Sequence, residues 1–189
     1  MVQDRSWSWD RAKKIIADVA RGILYLHTRT PPIVHRDIKS LNILVTAEWK
    51  GIVADFGLTT IKAQQFLKTY CGSPAWTAPE VLRGLQYDES ADVFSFGIVL
   101  WEILSRKPPY EGMSPNVIIG KGKQLSLDTI NRFSNHLLLS VIPENGMRPS
   151  IPEGSDPAYV RLMTQCWDDV PSRRPSFHQI IETLKVVLQ

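Results

Sequence analysis

Residues 35 to 42 read His-Arg-Asp-Ile-Lys-Ser-Leu-Asn and run directly into the apolar triplet Ile43-Leu44-Val45. Asp37 and Asn42, whose oxygens suit a metal-bound phosphate, share this stretch with the ammonium of Lys39 between them. Further along stand Asp55-Phe56-Gly57 and then Ala78-Pro79-Glu80. Any one triplet is a weak signal, because three-letter matches arise by chance. The order and the gaps of the set constrain the chain far more than its members do.

The surrounding pattern predicts where these groups sit. Residues 9 to 27 carry Ile15, Ile16, Val19, Ile23, Leu24 and Leu26 at helical spacing, with Arg11, Lys13, Lys14, Asp18 and Arg21 on the other side. Ser8 suits the N-cap and Asp10 the first turn. Thr30-Pro31-Pro32 stops this helix and leads into an extended approach to His35. Ile43 to Val45 and Gly51 to Ala54 read as two short strands joined by a turn, which brings Asn42 and Asp55 near each other. Residues 58 to 77 show no sustained period and read as a loop. Val93 to Leu104 is apolar nearly all round, the mark of a buried helix, and it ends before Pro108-Pro109. A closing helix is expected from Phe177 to Leu188. No internal repeat appears.

At 189 residues the chain suffices for one core and is short for two typical domains. Hydrophobic residues make up 43% and charged residues 22%, so a folded domain is expected. The net charge of +3 is too small and too dispersed to point to nucleic acid. Cys71 and Cys166 form no metal-binding pattern and read as reduced thiols of a cytoplasmic protein, with a single disulfide as the alternative. No apolar stretch approaches the roughly 18 to 20 residues of a spanning helix, and the first residues lack the apolar run of a signal peptide.

Taken together, the three motifs resemble the catalytic loop, metal loop and activation-segment end of the eukaryotic protein kinase family. The resemblance implies phosphoryl transfer from Mg-ATP to a protein substrate, chemistry that rests on positioning and charge neutralisation. It makes Asp37 the carboxylate that accepts the hydroxyl proton and sets Lys39 against the γ-phosphate. Asn42 and Asp55 become the oxygen ligands of Mg2+. His35 braces the loop, Phe56 and Gly57 complete the metal loop, and Gly57 gives it backbone freedom. Arg36, beside Asp37, suggests control by a phosphate, with Thr69 as the matching phosphosite and Thr59, Thr60 and Tyr70 as alternatives. Glu80 and Arg174 are similar to the family's buried ion pair. Asp92 is similar to its carboxylate that accepts hydrogen bonds from the catalytic-loop backbone. Phe94 stands where the family commonly has Trp.

Lys39 and Ser73 resemble the serine/threonine type, whereas tyrosine kinases usually carry Arg or Ala and Pro at these places. Trp76-Thr77, Cys166-Trp167 and Arg173-Arg174-Pro175 occur in both. This blend is most similar to the tyrosine-kinase-like group of serine/threonine kinases. A tyrosine kinase remains the lesser alternative.

The expected fold is therefore mainly α, a kinase-like C-terminal lobe with a short β-hairpin carrying the catalytic and metal loops. Residues 1–189 read as a partial kinase domain. About 8 residues precede the first helix, and neither a glycine-rich lid nor a strand lysine is present, so the N-terminal ATP lobe is expected to be absent. The chain alone is then expected to be inactive. A truncated lobe that docks partners without transferring phosphate is the competing reading. About 20 residues, 118–140, form an atypical insert, either a genuine insertion or a translated intron.

Overall fold

The computed structural model describes residues 7–61, 72–111 and 146–187. In chain order these form α1 (Trp9–His27), β1 (Ile33–Val34), β2 (Ile43–Val45), β3 (Gly51–Val53), β4 (Thr60–Ile61), α2 (Pro79–Leu82), α3 (Ser90–Ser105), α4 (Pro157–Cys166) and α5 (Phe177–Val187). Short 3-10 turns lie at Ser40–Asn42, Phe56–Leu58, Pro74–Trp76 and Pro171–Arg173. Thr69, Tyr70, Cys71, Leu188 and the insert 118–140 lie outside the described residues.

Helix α3 organises the rest. Every residue from Ala91 to Trp101 is buried, as its all-round apolar sequence requires. The helix ends where Arg106 turns left-handed at φ 59°, short of Pro108-Pro109. Gly97 permits the close approach of α4: a Cβ there would lie 2.9 Å from Cys166 Cβ. Tyr159 on α4 donates its hydroxyl to the Leu100 carbonyl at 2.9 Å, which satisfies a polar atom in the core.

Helix α1 follows its predicted bounds. Ser8 caps it by accepting the Arg11 amide. Its buried face, including Ile15, Ile16, Val19 and Ile23, joins Phe96, Tyr159, Phe177 and Ile180 in one cluster. Each such side chain contributes roughly 1.5–3 kcal/mol through burial. On another side α1 meets β3, where a Cβ on Gly51 would come within 2.8 Å of the Ile15 carbonyl.

Strands β2 and β3 pair antiparallel, Ile43 opposite Val53 and Val45 opposite Gly51. Ala54 N donates to Asn42 O at 2.9 Å, so the ends of the hairpin bring the polar loop and the acidic loop side by side. One expectation needs correction. The stretch 58 to 77 is not wholly loop: Thr60–Ile61 forms β4, paired antiparallel with β1, and Pro74–Trp76 forms a 3-10 turn. The pairing follows from tertiary contact, because two residues cannot show a period.

Candidate active site

Asp92, in the first turn of α3, is fully buried and accepts three hydrogen bonds. Its Oδ2 accepts the His35 amide at 2.8 Å and its Oδ1 the Arg36 amide at 2.8 Å. His27, at the end of α1, donates Nε2 to Oδ2 at 2.9 Å. Burial pushes the Asp92 carboxyl up, but these donors more than offset it and hold the group below the ordinary carboxylate value. With both amides pinned, Arg36 adopts a left-handed φ of 69° that aims the next residue. His35 is buried and bridges two segments: its Nδ1 accepts the Asp37 amide at 3.3 Å and its Nε2 donates to Ala54 O at 3.1 Å. That pattern requires the neutral imidazole protonated on Nε2.

Asp37 is 7% exposed, and its two oxygens are held from opposite sides. Oδ2 accepts Lys39 Nζ at 2.6 Å and Asn42 Nδ2 at 3.0 Å. Oδ1 accepts the Ser73 amide at 3.1 Å and the Ser73 hydroxyl at 3.0 Å. Lys39 Nζ also donates to Ser73 Oγ at 2.8 Å, closing a triangle of Asp37, Lys39 and Ser73. Desolvation opposes the charge on Asp37, but the Lys39 and Ser73 hydrogen bonds prevail and lower its pKa. Asp37 is thus a carboxylate at neutral pH.

Asn42 gives one amide proton to Asp37 O at 2.9 Å and one to Asp37 Oδ2, which leaves its Oδ1 as the atom able to face a cation. Asp55 is exposed, with φ 63° and ψ 74°, and its Oδ1 accepts the Gly57 amide at 3.3 Å. A carboxamide oxygen and a carboxylate are hard donors that fit Mg2+. Among the described residues no group of three or more His, Cys, Asp or Glu could hold a metal ion. Phe56 rests against the His35 ring at 5.1 Å with half its surface open.

Arg36 donates from Nε to Leu58 O and from Nη1 to the Tyr87 hydroxyl, two uncharged oxygens. Arg174 and Glu80 form a buried bidentate pair at 2.6 and 2.8 Å. Arg174 adds bonds to Asp168 O and Ser90 O, and Phe94 lies 5.1 Å beneath its guanidinium. The candidate phosphosite Thr69 lies outside the described residues. Of its alternatives, Thr60 lies in β4, and the buried Thr59 hydroxyl has no hydrogen-bond partner among the described residues.

Sequence reasoning missed Glu102. It stands near the end of α3, accepting Ser40 Oγ on one oxygen at 2.7 Å and Trp76 Nε1 on the other at 2.7 Å. Burial pushes its carboxyl above the ordinary value. One signal was available: Glu102 is the single charged residue in the apolar run from Val93 to Leu104.

Compared with known families, residues 1–184 match the protein kinase domain. The chain is 44% identical over 181 residues to "Probable serine/threonine-protein kinase drkB" of Dictyostelium discoideum, an alignment covering 95% of this chain and 23% of that protein. It is 43% identical over 180 residues to "Probable serine/threonine-protein kinase drkA" of the same organism, covering 95% and 25%. Similarity to "Probable serine/threonine-protein kinase drkC" is 38% over 187 residues, covering 96% and 22%. The chain spans about a quarter of the length of these relatives.

Proposed function

Because the chain belongs to the protein kinase family, we propose that it carries the catalytic and metal loops of a serine/threonine kinase of the tyrosine-kinase-like group. The reaction is transfer of the γ-phosphoryl of Mg-ATP to a serine or threonine hydroxyl of a protein. The observation that carries this reading is the triangle of Asp37, Lys39 and Ser73. Asp37, held ionised, accepts the proton of the attacking hydroxyl. Lys39 supplies positive charge where the phosphoryl oxygens pass, and Ser73 keeps both groups in register. Asn42 Oδ1 and Asp55 would hold Mg2+, which when bound neutralises charge on the phosphate oxygens. Names of the relatives as serine/threonine-protein kinases support the choice of acceptor.

Leu44 and Ile52, paired across the β2–β3 hairpin, and Phe56, next to Asp55, expose 47 to 57% of their surface. An apolar patch of this kind calls for a covering partner, and an ATP-binding lobe laid on the hairpin fills that role in our reading. The same patch favours a second reading, a partner-docking lobe that transfers no phosphate. The test is labelled ATP and Mg2+ with a mixed peptide library, using the chain alone and the chain joined to a compatible ATP-binding lobe. We expect label on serine and threonine from the joined protein and none from the 189 residues alone. Absence of transfer from the joined protein, with its binding to partners intact, overturns the enzyme reading.

A further inference from the structure

The two oxygens of Asp37 are held by different loops. Oδ2 belongs to the catalytic loop through Lys39 and Asn42, and Oδ1 belongs to the segment before Ala78-Pro79-Glu80 through Ser73. Their relative placement therefore decides where the carboxylate points. One side chain on α3 hydrogen-bonds both loops: Glu102, through Ser40 at the start of one 3-10 turn and Trp76 at the end of the other. Helix α3 is buried from Ala91 to Trp101, and Ser95 on it also donates to Trp76 O at 2.8 Å.

We propose that Glu102 is a positioning residue that clamps the Ser40 turn to the Trp76 turn and so fixes Asp37 between Lys39 and Ser73. The proposal rests on the reading of Asp37 as the proton acceptor. Its chemistry is specific. An indole N–H can only donate, whereas a serine hydroxyl both donates and accepts. Gln at this position can give its oxygen to Trp76 and its amide protons to Ser40, so Glu102→Gln preserves both contacts. Glu102→Ala removes both.

The experiment compares Glu102→Ala and Glu102→Gln in the complete kinase carrying these residues, by steady-state kinetics and by amide hydrogen exchange. For Glu102→Ala we expect exchange at residues 37–42 and 73–77 to rise about tenfold or more. kcat should fall at least about tenfold while KM for ATP stays within about twofold. Glu102→Gln should restore both readouts. Faster exchange in only one segment, in neither, or equally in α1 and α5 overturns the clamp, as does a kcat loss that Gln fails to rescue. If Glu102→Ala does not fold, Ser40→Ala decides, since it cuts one arm and leaves the indole bond. Unchanged exchange at 37–42 in that variant overturns the proposal. If the parent transfers no phosphate, the kinase reading fails, and the exchange measurements still decide whether Glu102 couples the two loops.

Discussion

Lys39 Nζ donates to Ser73 Oγ at 2.8 Å across 34 residues of sequence, and both groups converge on the carboxylate of Asp37. The ammonium thus lies between a negative charge and a hydroxyl. Replacing Lys39 by Met keeps the apolar stem and removes every donor. Loss of one such preorganised donor costs about 100- to 1,000-fold in kcat. Transfer rates of Lys39→Met and parent check this. A variant within about threefold of the parent contradicts the assigned role.

The bidentate pair of Glu80 and Arg174 is buried on both sides. Replacing Arg174 by Ala strands a buried carboxylate, at a cost of about 3–5 kcal/mol. That is a large share of a typical stability of about 5–15 kcal/mol. Urea unfolding of the variant should show this loss or an unfolded chain. A variant that unfolds with the parent shows the pair to be energetically idle.

Asp92 links stability to pH in a defined direction. Its folded pKa is lowered, so its contribution is present above the ordinary value of 3.8 and is lost as pH falls through the folded value. Asp92→Asn presents an amide N–H where the backbone amides of His35 and Arg36 also donate, leaving a buried donor unmatched at about 1–3 kcal/mol. The stability gap between parent and variant should be full at neutral pH and should narrow below about pH 3.8. A gap independent of pH from 7 to 3 contradicts this account.

Glu102 has the opposite sign. Burial raises its pKa above 4.5, so the fold disfavours its charge. Below that value parent and Glu102→Gln should be alike. As pH rises from 4.5 through the folded pKa, the parent loses stability relative to the Gln variant, which stays neutral. Thermal melts of both proteins from pH 4 to pH 8 test the sign. A parent that gains on the variant over that range contradicts it.

How much of this was legible in the sequence differs from residue to residue. Helix α1 showed in the spacing of Ile15, Val19 and Ile23, and α3 showed in its unbroken apolar run, because burial imposes those patterns directly. The β2–β3 pair was visible as two short β-rich runs around a turn, although β3 ends at Val53 rather than at Ala54. The β1–β4 pair was not visible, since Thr60 and Ile61 acquire strand form only by meeting Val34 and Ile33. Asp37, Lys39, Asn42, Ser73, Glu80, Asp92 and Arg174 were singled out through motif resemblance, and the structure brings Asp37, Lys39, Asn42 and Ser73 into hydrogen-bond contact. Glu102 escaped notice because its partners lie 62 and 26 residues away, farther than any helical or strand spacing can reveal.

The most direct measurement of the central claim is the rate of phosphoryl transfer from labelled ATP by the complete kinase and by its Asp37→Asn variant, with ATP affinity measured on both. Asn keeps the shape of the side chain and removes its capacity to accept a proton. The account predicts a fall of about 100-fold or more in transfer, with label on serine and threonine and ATP binding retained. Equal rates from the two proteins, or label confined to tyrosine, would contradict it.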